Sequence, residues 1–463
     1  MRKLLPALLV AVLALIAGAV SAGGAVASGA SNGTLALPQI VVGQQLPTRS
    51  AETPPSSADC TAAFVSFGFV GTCYSPQDIR NEYDITPLLN RGIDGTGQTI
   101  VIFDAFGSPT IQNDLQVFDQ AYGLPDPPSF KVYEPEGHVQ LNYQNLPSPV
   151  GLHNKNVNTQ IGWAYETTLD VEWAHALAPG ANIALVVTPT AETQGVQGIP
   201  NMQNAQNWVL QNGIGKIWSN SWATTEQAFH SNAAIQQLDT FYADAAARGV
   251  SAFFGTDDSG VANPDKQGRL FPFPTVTFPS ASPHVIAVGG TQISPPVSAI
   301  TTYQPEQVWN DCCGAGGGGY STVFPEPDWQ QAAGIPDPLG ARATPDISLN
   351  SALISSVLIY NSFDPAAGPG WNFIGGVSSA TPQWAAIDAL ANQADGDLGF
   401  LAPRLYQIYG TPAYASTFHD ITVGDTSWNG VTGYAAGPGW DAATGLGTPD
   451  AANLVTALAT TTP

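Results

Sequence analysis

Short, almost wholly apolar runs rich in β-branched residues recur along the chain, and they restrict its fold more than any other feature. They read TIVIFDAF at 99–106, ANIALVVT at 181–188, KIWSNSW at 216–222, VSAFFGTD at 250–257, HVIAVGG at 284–290 and SSVLIYN at 355–361. A strand with one face in water alternates apolar and polar residues, whereas runs of this kind suit strands buried on both faces between layers of helices. Helical patterns lie between them, at Glu166–Leu177, at Ala233–Arg248 closed by Gly249, and at Thr381–Gln393 opened by Pro382. The alternation predicts an α/β fold, a doubly wound, mostly parallel sheet flanked by helices, over 59–463 without internal repeats. In such a fold, catalytic groups gather at the carboxyl ends of strands and at the helix starts that follow.

The chain begins as an exported protein does. Arg2 and Lys3 precede an apolar run from Leu4 to Val20 and a small-residue site at Val20-Ser21-Ala22, which predicts a signal peptide over 1–22, with 27 as the alternative end. The run holds Pro6 and is shorter than the roughly 20 apolar residues of a membrane span, so a secreted chain free of the membrane after cleavage is expected. Residues 23–58 are Gly, Ala, Ser, Pro and Thr with almost no charge and read as a low-complexity leader or linker, with no full-length prodomain. A formal charge of -23 argues against nucleic acid as a partner; it reads either as simple solubility or as adaptation to acid, where carboxylates neutralise. Among the 4 cysteines, Cys60 and Cys73 can close a short loop, while the adjacent Cys312 and Cys313 have no assignable partner from sequence.

Ser378, in GGVSSATP at 375–382, sits just before a helix start, where a helix dipole favours a nucleophile and an oxyanion; an ordinary N-cap serine would look the same. A nucleophilic serine needs a base. The order Ser378, Asp397, His419 mimics an α/β-hydrolase, but the segment is not G-x-S-x-G and no strand is expected directly before it. Asp104, at the end of the first long strand, would suit a subtilisin order, yet none of the 6 histidines has the matching setting. That leaves a carboxylate. Glu166 and Asp170 fall at i and i+4 on YETTLDVEWAHALAP, with Glu172 nearby and no Lys or Arg from 156 to 215. The bland reading is a solvated acidic face; the flanking Trp163, Leu169, Trp173 and Leu177 favour a packed helix whose carboxyl pair shares a proton. In FFGTDDSG, Asp257 and Asp258 follow a strand and form either a plain turn or, with Asp258 protonated, a donor to an oxyanion. The stretch 420–450 places Asp420 and Asp441 across Gly-rich turns, a pattern for Ca²⁺ or simply for turns. CCGAGGGGYS at 312–321 lacks the Lys of a phosphate loop and reads as a flexible rim.

Collinear from about Tyr74 to the end, these segments resemble the sedolisin family, serine-carboxyl peptidases of subtilisin-like fold. The resemblance rests on YSPQDIRNEYDI, GTGQTIVIFDAFG, the E-x-x-x-L-D helix with APGANI, DSG at 258–260, FPSASPHVIAVGGT, GGGGYS, GGVSSATP and GPGWDAATGLGTPD. It implies Ser378 as nucleophile, Glu166 as general base, Asp170 as its proton-sharing partner and Asp258 as oxyanion donor. It also implies one structural Ca²⁺ held by Asp420 and Asp441 with the carbonyls of Ile421, Gly437 and Gly439. Two positions depart from the family pattern: Asp257 stands where a Gly is usual, and Val377 where a Thr is usual. The expected activity is hydrolysis of proteins or peptides in acid by a secreted monomer. An esterase using His419, or a silent secreted scaffold, are the alternatives.

Overall fold

The computed structural model describes residues 37–38, 40–46, 53–143, 146, 148–150, 159–190 and 199–461. The signal peptide expected at 1–22 lies outside these residues. In chain order the strands are β1 (Leu37–Pro38), β2 (Val41–Leu46), β3 (Thr72–Tyr74), β4 (Thr99–Ala105), β5 (Phe130–Tyr133), β6 (Asn182–Thr188), β7 (Ile217–Asn220), β8 (Trp222–Thr225) and β9 (Ser251–Gly255). Then follow β10 (Thr277–Phe278), β11 (Ile286–Ile293), β12 (Glu306–Val308), β13 (Gly319–Pro325), β14 (Ala341–Thr344), β15 (Ile347–Asn350), β16 (Ser355–Asn361) and β17 (Gly370–Gly375).

The main sheet runs β12-β11-β9-β7-β4-β6-β5, with β15 also on β11, and every pair but β11–β12 is parallel. Its apolar strands serve two cores. Along β4, Ile100 and Ile102 point to one core while Val101, Phe103 and Ala105 point to the other. The first core holds the helices Gln160–Leu177 and Val377–Asp395; the second holds Ile199–Asn212 and Asn232–Ala247. This is the doubly wound arrangement that the apolar runs predict. Because β5 and β6 lie to one side of β4 and β7 and β9 to the other, the carboxyl end of β4 is a point where strand order reverses, the usual place for a site in such sheets.

Four details differ from the sequence reading. SSVLIYN forms β16 outside the main sheet, in a four-stranded sheet of order β2-β17-β16-β3 in which β16 and β17 are antiparallel. All seven of its residues are buried, so its apolar run reports burial on two faces and says nothing of strand direction. KIWSNSW breaks at Ser221 into β7 in the main sheet and β8, which pairs with β1 and β10 instead. Within the leader, β2 packs as an inner strand of the small sheet and Ile40, Val42 and Leu46 are buried, while a helix starts at Ser57. The Gly-rich run is no flexible rim, since 314–319 are buried. A Cβ at Gly318 would overlap the Ala442 carbonyl, and one at Gly316 would sit 3.0 Å from that of Gly290, so these glycines allow backbones to touch.

Cys60 and Cys73 form a disulfide that ties the Ser57–Ser66 helix to β3, and Cys312 pairs with Cys313. Among the described residues, no helix is long and apolar enough to cross a membrane.

Candidate active site

The helix Gln160–Leu177 is buried from Ile161 to its end, an unusual position for a segment with three carboxyls. Glu166 and Asp170 are both 0% exposed and lie one turn apart. Asp170 Oδ1 accepts from Ser221 Oγ at 3.0 Å, at the break between β7 and β8. Burial, first of all, lifts both carboxyls well above their ordinary range; Asp170 and Asp104 add repulsion at Glu166, and Asp104 adds it at Asp170. Opposing this, the Ser378 hydroxyl favours the ionised form of Glu166, and Ser221 does so for Asp170. Ser378 Oγ thus lies beside Glu166, although the two are not aligned in a hydrogen bond. Catalytic hydrogen bonds often align only once substrate is in place.

Asp104 is the residue that sequence reasoning missed here. It ends β4 fully buried, beside Thr167, and burial pushes it up to about 7. Sequence pointed to Asp104 only as the partner of an absent histidine; its place against Glu166 and Asp170 follows from the strand order. Glu172, by contrast, is turned away from this group and accepts the Tyr360 N–H at 3.1 Å.

Ser378 lies inside the first turn of the helix Val377–Asp395, which begins four residues before the Thr381 start that the sequence suggested. A strand does precede it: β17 ends at Gly375, and Gly376, at φ 118°, turns the chain into the helix. That left-handed φ suits glycine. Val377, in place of the usual Thr, packs with Trp309 and Ala352, and its N–H donates to Asp258 Oδ1 at 2.8 Å. The other oxygen, Oδ2, is buried without a partner. Burial raises Asp258 well above the carboxylate range, and with Oδ1 already accepting, the proton belongs on Oδ2, free to be donated. Asp257 holds φ 93°, a conformation that explains why glycine is usual there. Its Oδ1 accepts from the N–H groups of Asp258 and Ser259 at 2.7 and 3.0 Å, which fixes the turn, and its charge raises Asp258 further.

The hydrolase alternative does not assemble. Asp397 is on the surface, paired with Lys216 at 2.5 Å, and His419 stacks on Tyr303 with ring centres 3.6 Å apart, lowered to about 4 by burial.

In the C-terminal loop the expected metal positions are linked in two pairs. Asp420 Oδ2 accepts from Gly439 N at 2.9 Å and Asp441 Oδ2 from Gly437 N at 2.8 Å. The carbonyls of Ile421, Gly437 and Gly439 accept no hydrogen bond from the described residues, so the loop offers an oxygen-only donor set that fits a hard cation.

With this geometry in view, similarity to known proteins becomes specific. No protein-family model matches the chain. Kumamolisin of Bacillus sp. (strain MN-32) is 32% identical over 404 residues, covering 84% of this chain and 64% of that protein. Sedolisin of Pseudomonas sp. (strain 101) is 29% identical over 440 residues, covering 92% of this chain and 65% of that protein. The chain thus spans just under two thirds of these relatives. The structure of Pseudomonas sedolisin, a serine-carboxyl proteinase complexed with two molecules of pseudo-iodotyrostatin, matches at TM-score 0.66 and 27% identity, over 84% of this chain and 98% of that one. The chain belongs to the sedolisin family. As a sedolisin-family protein, it has the subtilisin-like fold.

Proposed function

We propose that this sedolisin-family chain is a secreted serine-carboxyl peptidase that hydrolyses peptide bonds of proteins or peptides in acid. The observation that carries this reading is the convergence on one helix start of a serine, a buried carboxyl beside it, and a second carboxyl anchored at Oδ1 with Oδ2 free. Ser378 Oγ attacks the substrate carbonyl as Glu166 takes its proton, and the resulting charge on Glu166 is spread by its neighbours. Asp170, itself held by Ser221, does this as the proton-sharing partner. The oxyanion receives the proton-bearing Oδ2 of Asp258 and the positive end of the helix. Glu166 then returns the proton to the leaving amine, and water releases the acyl-enzyme. Loss of the Asp258 proton sets an alkaline limb, so activity fades as pH rises and Asp258 ionises. Hydrolysis of an unfolded protein from pH 2 to 8, by wild type and Ser378→Ala, tests this; a maximum above pH 7, or equal activity of the variant, would refute it. We further propose that Asp420 and Asp441, with the carbonyls of Ile421, Gly437 and Gly439, hold one Ca²⁺ that stabilises the C-terminal loop. Export follows from the expected signal peptide at 1–22.

A further inference from the structure

The adjacent cysteines have no part in the proposed mechanism, yet their bridge stands behind the residue that receives the oxyanion. Cys312 and Cys313 are joined to each other. A bridge between neighbours closes no loop of chain, so it does next to nothing to restrict the unfolded state, and its effect is on the shape of one turn. That turn is 311–314. Asp311 N donates to the Gly314 carbonyl at 3.0 Å, and the Asp311 carboxyl accepts from Cys313 N at 2.8 Å, Gly314 N at 3.2 Å and Ile354 N at 3.3 Å.

The bridged turn lies against the turn that carries Asp258. Ala315 N donates to the Asp258 carbonyl at 3.0 Å, Gly260 N to the Ala315 carbonyl at 2.8 Å and Gly317 N to the Asp257 carbonyl at 3.0 Å. A Cβ at Gly314 would come 3.0 Å from the Asp258 carbonyl oxygen and would overlap the Trp309 ring. Trp309 in turn packs with Val377, whose N–H donates to Asp258 Oδ1. Both the backbone and the carboxyl of Asp258 are therefore supported by residues that rest on the bridged turn. After burial, the charges of Asp257 and Asp311 raise Asp258, and Glu166 faces it from the helix Gln160–Leu177.

The two bridges of the chain differ in access. Cys60 and Cys73 are buried, whereas Cys312 and Cys313 are half-buried and within reach of a small molecule. Accessible bridges are the ones that thiols reduce first.

We infer that the Cys312–Cys313 bridge is a redox switch on the active site: closed, it holds the turn behind Asp258; opened by a small dithiol, it lets that turn relax and the oxyanion donor lose its place. The inference rests on the peptidase reading above. One thiolate of the dithiol attacks the Sγ of one cysteine and releases the other as a thiol, and its second thiolate then displaces the mixed bond. The dithiol leaves as a cyclic disulfide, and two electrons and two protons have passed to Cys312 and Cys313. Exchange needs a thiolate, which acid removes, so the state set near neutral pH persists in acid.

Wild type is treated with dithiothreitol at pH 7.5 without denaturant, a portion is alkylated to map free thiols by mass spectrometry, and the rest is acidified. Then kcat and KM on denatured casein are measured from pH 2 to 7. With Cys312 and Cys313 reduced and Cys60–Cys73 intact, kcat should fall about tenfold at little change in KM, as displacement of an oxyanion donor requires. The alkaline limb should move to lower pH as water reaches Asp258, and reoxidation should restore both. Cys312→Ser/Cys313→Ser should show the same kcat and limb without dithiol and should not respond to it; if that variant does not fold, reduced and reoxidised wild type decide. A bridge that resists the dithiol in the folded protein, full kcat with both thiols free, a loss confined to KM, or a response to dithiol that persists in the double variant overturns the inference and leaves the peptidase reading standing. If untreated wild type does not hydrolyse casein in acid, the peptidase reading falls and the inference with it.

Discussion

Replacing Asp104 by Asn tests whether the buried carboxyls set the pH range of the protein. Asp104 rises from 3.8 to about 7 because its charge would be stripped of water, so the folded state holds its proton over a range in which the unfolded chain has lost it. A carboxyl raised in this way contributes fully below about pH 4, and its contribution is lost as pH rises to and through about 7. A rise from 3.8 to about 7 corresponds to about 4 kcal/mol. Asn has nearly the shape of the protonated acid and does not ionise, so Asp104→Asn should match wild type within about 1 kcal/mol at pH 4. At pH 7.5 it should be the more stable by up to about 4 kcal/mol. Urea unfolding at half-unit steps from pH 4 to 7.5, both proteins carrying Ser378→Ala to prevent self-digestion, measures the difference. Parallel stability curves would refute the assignment, because they would mean that Asp104 ionises alike in both states.

Three further outcomes are expected. Asp258→Ala should keep its fold by circular dichroism yet lose about 10²- to 10³-fold in kcat, the usual effect of removing one oxyanion donor, and Asp258→Asn should lose less because its amide can donate from the same place. Calcium at 100 times its Kd should add about 2.7 kcal/mol to stability, seen as a rise in Tm that EDTA reverses and that Asp441→Ala abolishes. Opening the Cys60–Cys73 bridge with the double Ser substitution should cost about 3 kcal/mol in urea unfolding, as expected for a loop of this length; no change would mean that β3 and the Ser57–Ser66 helix are held by packing alone.

What the sequence shows of this site depends on whether a residue's partners are local. Glu166 and Asp170 share a helix, so their i, i+4 spacing already joins them, and the tryptophans around them already mark the helix as buried. Asp104 meets them only because β4 lies in the middle of the sheet, a matter of strand order that no local pattern carries. The strands of the leader were hidden for another reason: a charge-poor, Gly/Ala/Ser-rich average over 23–58 conceals the few residues from Ile40 to Leu46 that belong to the core. β17 was hidden in a third way, since GWNFIG carries a glycine at each end and an asparagine inside, and so does not resemble the apolar runs of the main sheet.

That overlooked strand bears on why a carboxylate can serve as base. β17, Gly376 and the helix Val377–Asp395 set Ser378 at a strand-to-helix turn, the kind of placement that other serine hydrolases pair with histidine. A histidine base becomes a cation during reaction and needs an ionised acid to stabilise it. A carboxylate base becomes neutral, so burial, which disfavours its charge, helps it take the serine proton and leaves no new cation to be stabilised. The same burial keeps Asp258 protonated as a donor. The two proposed roles need opposite states, Glu166 ionised and Asp258 protonated, so the proposed mechanism operates only where Asp258 still keeps its proton and fails once Asp258 ionises.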